Sequence, residues 1–237
     1  MSTERRRLLL FDIDGTLLHT GGAGISSIYE GLQQAFNLQN QADQMPALNL
    51  AGATDAGLVI FLFKHFEIEH TASNEEAFYH AYHQSLERNL AQHAQEHGGH
   101  LLLGITALLE RLHGHEQISL GLLTGNIRRG AWTKLEQFEI RHFFDTGAFG
   151  DDHHDRNQLG PIAIDRARLH FDHDFAPADT VIIGDTPKDI ACARACGACA
   201  IAVATGTFSH HELAAFQPDH LFENFSDEHS LLRALKI

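Results

Sequence analysis

Short, β-rich apolar runs recur along the chain, at Leu8–Ile13, Ile118–Thr124, Phe143–Phe149, Thr180–Gly184, Cys199–Ala204 and His220–Phe222. Between them lie stretches whose apolar positions repeat at helical spacing: Ile105–Leu112, Ala131–Phe138, Ile162–His170 and Lys188–Ala195. A strand run that is apolar throughout belongs to a sheet buried on both faces, and strands alternating with helices predict a doubly wound parallel sheet of the α/β class. The pattern breaks from about Ser26 to Gly98, where helical periodicity at Ile28–Phe36, Ala56–His65 and Glu75–Gln95 comes without a convincing strand. This stretch predicts a small α-helical domain inserted after the first strand, with Gly21, Gly22 and Gly24 before it and Gly98 and Gly99 after it as flexible crossings. The predicted boundaries are a core of residues 1–20 and 99–237 and a helical insertion of residues 21–98. No fixed-period repeat and no low-complexity linker interrupts this plan.

Composition adds exclusions. The 237 residues carry 17 Lys+Arg against 31 Asp+Glu, a formal net charge of −14, so phosphate backbones and anionic membrane surfaces are repelled. The longest apolar runs fall far short of the roughly 20 residues of a membrane helix. Met1–Arg7 is polar and leads into a strand, unlike a signal peptide. The expectation is a soluble, cytoplasmic protein, monomer or homodimer, with no nucleic-acid or membrane partner.

The chemistry begins where the first strand ends, in Phe11-Asp12-Ile13-Asp14-Gly15-Thr16-Leu17. A parallel strand delivers the side chains at its carboxyl end to the crevice, and residues two apart share a face. Two carboxylates that close repel unless a cation sits between them or the pair moves protons. Two later runs end similarly, Leu122-Leu123-Thr124-Gly125-Asn126 in a hydroxyl and a turn, and Ile182-Ile183-Gly184-Asp185-Thr186-Pro187-Lys188-Asp189 in further acids.

These residues resemble the haloacid dehalogenase superfamily, on its phosphatase side. Asp12-Ile13-Asp14-Gly15-Thr16-Leu17 matches its D-x-D-G-T-[LV] signature, Thr124 its second motif, and Gly184-Asp185 with Asp189 its fourth, G-D-x-x-x-D. The insertion falls where the family places its C1 helical cap, so the resemblance spans essentially the whole chain. It implies that Asp12 attacks phosphorus and becomes an aspartyl-phosphate, while Asp14 protonates the leaving alkoxide and later activates water. It implies Mg2+ as cofactor, held by the Asp12 carboxylate, the Asp14 carbonyl and Asp185, with Asp189 either near the metal or simply capping a helix that starts at Thr186. Thr124 with the N–H groups of Gly125 and Asn126 would hold phosphoryl oxygens, although Asn126 reads equally well as a turn residue.

The third motif departs from the pattern. Relatives place a Lys there, whereas this chain reads Gly150-Asp151-Asp152-His153-His154-Asp155-Arg156-Asn157. Arg156 can neutralise the same charge with bidentate geometry. Lys134 is the rival cation, and its place in a helix favours the surface.

Cys192, Cys196 and Cys199 have the spacing of a radical iron–sulfur site, but a helix over the first two, a stop at Gly197 and a strand from Cys199 assign them to packing. Among 19 histidines, His93 and His97 share a helix face without a third ligand, and His153 and His154 fall near the site.

The resemblance implies a magnesium-dependent phosphomonoester hydrolase acting on a small-molecule phosphate ester, of the phosphoglycolate phosphatase-like branch. Thr20, Gly21 and the Ala51–Asp55 turn are the expected substrate contacts. A phosphohexose mutase of the β-phosphoglucomutase kind shares the same motifs. A haloacid dehalogenase would need neither Asp14 nor Asp185. A non-catalytic binder would not need to retain Asp12, Asp14, Thr124 and Asp185 together.

Overall fold

The computed structural model describes residues 6–38 and 44–235. Met1–Arg5 of the expected polar lead-in lie outside them, as do residues 39–43 of the insertion. The strands are β1 (Arg7–Phe11), β2 (Leu18–His19), β3 (His100–Leu101), β4 (Ile118–Leu123), β5 (Gly147–Ala148), β6 (Thr180–Gly184), β7 (Cys199–Val203) and β8 (His220–Phe222). The α-helices are α1 (Ala23–Phe36), α2 (Asp55–His65), α3 (Ala72–Glu96), α4 (Ile105–Leu112), α5 (Arg128–Gln137), α6 (Leu159–Phe171), α7 (Pro187–Cys196), α8 (His210–Ala214) and α9 (Glu228–Ala234).

Six strands form one parallel sheet in the order β5-β4-β1-β6-β7-β8, as the alternation predicts. β1 is central, with Leu8 opposite Ser119 on one side and Thr180 on the other. Its run Leu8-Leu9-Leu10-Phe11 is apolar throughout because both faces are covered. Leu9 and Phe11 join a core with α4, α5 and α9, while Leu8 and Leu10 join a second core with α6, α7 and α8. A third apolar cluster draws on α1, α2 and α3 and takes only Ile127 from beyond residue 98. No helix among the described residues is long and apolar enough to cross a membrane.

Three differences from the sequence pattern have physical causes. The Phe143–Phe149 run pairs only at Gly147 and Ala148, on the sheet edge, because Arg141–Phe143 forms a 3-10 turn that turns Phe143 and Phe144 inward. Leu18–His19 and His100–Leu101 form a two-stranded antiparallel ribbon that ties the two crossings together, a pairing too short to show as periodicity. The short helices α8 and α9 carry too few turns for a periodic signal; each starts at a side-chain cap, Ser209 and Asp227.

Candidate active site

Sheet order brings the three carboxyl-end motifs side by side, since β1 lies between β4 and β6. They open into a cavity of about 450 Å³ lined by Asp12, Asp14, Thr124, Asn126, Arg156 and Asp185, and on the opposite side by residues of α1, α2, α3 and the 48–53 stretch. Gly15 makes the approach possible: its φ is +79°, and a Cβ there would meet Asp185 Oδ2 at 2.4 Å. Thr16 donates to Asp185 Oδ1 at 3.3 Å.

Asp12 is buried, and its Oδ2 lies 3.2 Å from the Arg156 guanidinium. Burial pushes its pKa up to about 6, against the pull of Arg156. Burial, with Asp189 and Asp12 as neighbours, also drives Asp185 well above the carboxylate range. Carboxylate oxygens of Asp12, Asp185 and Asp189 all lie within 4.8 Å of one another, the one such group among the described residues. A cluster of hard oxygen donors with too little positive charge is the chemistry of a divalent-cation site.

Asp189 is committed elsewhere. Its Oδ2 accepts from Thr186 N at 3.0 Å and Thr186 Oγ1 at 2.7 Å, closing a capping box behind Pro187. Its Oδ1 accepts from Arg156 Nε and an Nη at 3.1 and 2.5 Å. The cap expected of Asp189 is present, and the same side chain also stands in the acidic group with Asp12 and Asp185. Arg156 itself is set by a 3-10 turn over Arg156–Gln158, capped by Asp155. Cys192 donates to the Arg156 carbonyl at 3.2 Å from α7, so this cysteine packs under the site.

Lys134 corrects the surface expectation. It is 2% exposed, and its Nζ lies 2.8 and 2.6 Å from the Asp14 oxygens and 2.6 Å from Asn126 Oδ1. The cause is helical phase, because Lys134 shares the buried stripe of α5 with Gly130, Ala131 and Leu135. Asn126 donates to Asp14 Oδ2 at 2.7 Å and to Thr124 Oγ1 at 2.8 Å, so it is more than a turn residue. Burial would raise Asp14, but the Lys134 ammonium and the bonds from Lys134 and Asn126 outweigh it and hold the carboxyl below its ordinary range. The two rival cations thus divide the work, Arg156 on Asp12 and Lys134 on Asp14.

The insertion reaches the site through Thr54-Asp55. Asp55 N donates to the Gly125 carbonyl at 2.7 Å, Ala56 N to Gly150 O at 3.1 Å, and Thr54 Oγ1 to His154 O at 2.7 Å. The fit is close enough that a Cβ on Gly125 would lie 1.8 Å from Ala53 O. Helix α5 has no capping side chain of its own; Asp55 Oδ2 accepts from Ile127 N at 2.7 Å, and Asp151 Oδ1 from Arg128 N at 2.9 Å. Burial raises Asp55 to about 7 despite the Ile127 bond. Of the expected substrate contacts, Thr20 lines the cavity and Gly21 does not; Gly21 packs on α3, where His93 donates to its carbonyl at 3.1 Å. The sequence missed His19 and the apolar wall opposite the acids. The helical phase that buries Tyr82 and Ile28 was its only signal.

Residues 9–203 match the haloacid dehalogenase-like hydrolase family. The chain is 25% identical over 233 residues to a pyrophosphatase PpaX of Oceanobacillus iheyensis, covering 93% of this chain and 94% of that protein. It is 26% identical over 233 residues to a phosphoglycolate phosphatase of Aliivibrio fischeri, covering 94% of each. The crystal structure of a predicted phosphoglycolate phosphatase from Haemophilus somnus superposes with a TM-score of 0.66 at 20% identity, over 97% of this chain and 99% of that one, a likeness of fold.

Proposed function

This chain belongs to the haloacid dehalogenase-like hydrolases, and on that premise we propose that it hydrolyses a small phosphomonoester, with magnesium, through an aspartyl-phosphate on Asp12. Phosphatase is its enzyme class. We assign residues 1–20 and 99–237 to the catalytic core and 21–98 to a helical cap, a division supported by the separate apolar cluster of α1, α2 and α3.

The observation that carries the reading is the convergence of Asp12, Asp14, Thr124, Arg156 and Asp185 on one cavity. In this reading the Asp12 carboxylate attacks phosphorus in line, and the ester oxygen leaves with a proton from Asp14, whose pKa the bound dianion raises against the pull of Lys134. Arg156, 3.2 Å from Asp12, holds the nucleophile and offsets charge on the phosphoryl group. Thr124 and the adjoining turn receive the phosphoryl oxygens. Lys134 and Asn126 keep Asp14 oriented and return it to the ionised form, in which it takes the proton of the water that cleaves the aspartyl-phosphate. The Asp12 and Asp185 carboxylates and the Asp14 carbonyl would hold magnesium, with Asp189 anchoring Arg156 beside them. When bound, magnesium supplies the positive charge that lets a dianionic ester approach these acids.

The test is phosphate release from a panel of phosphomonoesters with and without magnesium, beside Asp12→Asn. Release that needs both supports the reading; release by Asp12→Asn at the native rate refutes it.

A further inference from the structure

Resting on the phosphatase reading, we infer that the alcohol part of the substrate is uncharged and largely apolar, with no second anionic group. The side of the cavity facing the catalytic acids is lined mainly by Ile25, Ile28, Leu48, Leu50, Leu58 and Tyr82, with Thr20, Asn49 and the Ala51–Ala53 turn between them and no cation. Between Gly21 and Gly98 the sequence holds two strong cations, Lys64 and Arg88, and neither lines the cavity. Lys64 is exposed on α2, and Arg88 lies 3.6 Å from Glu30. Residues 39–43, outside the described structure, are Gln-Asn-Gln-Ala-Asp and bring none.

The core lines the cavity with no unpaired Lys or Arg either. Among the lining residues the strong cations are Lys134 and Arg156, the first paired to Asp14 and the second to Asp12 and Asp189. His19 donates its Nε2 hydrogen to the Thr205 carbonyl at 3.1 Å. Against these stand Asp12, Asp14, Asp55 and Asp185. One phosphoryl group and a divalent cation leave this set acidic. A carboxylate or second phosphate on the leaving group would be desolvated against leucine and isoleucine, within reach of carboxylates, and unpaired. An uncharged chain of a few carbons loses water there at a gain. This preference separates the chain from proteins named for phosphoglycolate or pyrophosphate, both of whose substrates carry the second anion.

The experiment measures kcat/KM with magnesium for n-butyl phosphate, phosphoglycolate, inorganic pyrophosphate and phosphoethanolamine, with p-nitrophenyl phosphate as a check on the chemistry. The expected result is that n-butyl phosphate exceeds both competitors that carry a second anionic group by roughly 100-fold or more, the scale of a like-charge mismatch in a desolvated site. Leu50→Arg, and independently Leu48→Lys, places a cation on the half-buried wall and should shift the ratio toward phosphoglycolate by roughly tenfold or more. Phosphoglycolate or pyrophosphate within tenfold of n-butyl phosphate would overturn the inference while leaving the phosphatase reading intact, as would a preference for phosphoethanolamine. Failure on every ester, p-nitrophenyl phosphate included, would overturn both.

Discussion

Asp55 joins the helical insertion to the amino end of α5, and replacing it with Asn isolates the cost of its charge. The side chain is 7% exposed, and Asn keeps an oxygen to accept from Ile127 N. The carboxyl titrates near 7 in the folded chain against an ordinary 3.8, so the folded state holds this proton more tightly than the unfolded state does. Stability from this residue is therefore full below pH 4 and is lost as pH rises toward 7. At about 1.4 kcal/mol per unit, ionising Asp55 costs about 2 kcal/mol of folding free energy at pH 5 and about 4 kcal/mol at pH 8. Asp55→Asn should remove that cost, so its advantage over wild type should grow by roughly 2–3 kcal/mol between the two pH values. Urea unfolding of both proteins at pH 5 and pH 8, in EDTA, reads the difference directly, and the other acids cancel because both proteins contain them. A variant less stable than wild type at pH 8 would refute the reasoning, because it would mean that the amino end of α5 stabilises the carboxylate by more than burial costs it.

Asp189→Asn leaves the buried Arg156 without its strongest partner, so thermal unfolding should show a loss of about 3 kcal/mol, and an unchanged melting curve would speak against the pair as an anchor. Lys134→Met should lower kcat on alkyl phosphates roughly 100-fold with little change in KM. The loss should be similar on p-nitrophenyl phosphate, because the aspartyl-phosphate whose hydrolysis Lys134 supports through Asp14 is common to both esters; a loss on only one of them would contradict that role. Gly125→Ala drives a methyl into the Ala53 carbonyl and should cut kcat/KM at least tenfold with a stability loss of about 1–3 kcal/mol. Gly98→Ala has free space but a φ of +74°, so it should cost about 1 kcal/mol and leave the kinetics alone.

The sheet was legible because strands buried on both faces read as unbroken apolar runs, as at Thr180–Gly184, and because each carries its chemistry at the carboxyl end. The acids and Thr124 could be placed for the same reason. Phe143–Phe149 misled because aromatic side chains plug a core equally well from a 3-10 turn. Lys134 was assigned outward because lysine in a helix usually is; the small and apolar residues three and four positions before it and one after it carried the opposite message. Thr20 and the 51–55 turn apart, the cavity wall was barely legible, since Ile25, Leu48 and Leu58 come from separate segments that meet only when the insertion packs on the core. Asp55 is legible as the end of the Ala51–Asp55 turn ahead of a helix, but its bond to Ile127 depends on how the two parts dock.

The central position of β1 also bears on how the chain is made. Leu8–Phe11 pairs with residues 119–122 and 180–183, which leave the ribosome far later. At ordinary elongation speeds the wait for the second partner is roughly 10–30 s. Until residues 118–122 emerge β1 has no ladder neighbour, and until residues 180–183 emerge one of its two edges stays open, although the insertion that follows has its own apolar cluster. Closure of the sheet around β1 therefore trails synthesis: the strand gains β4 first and β6 second.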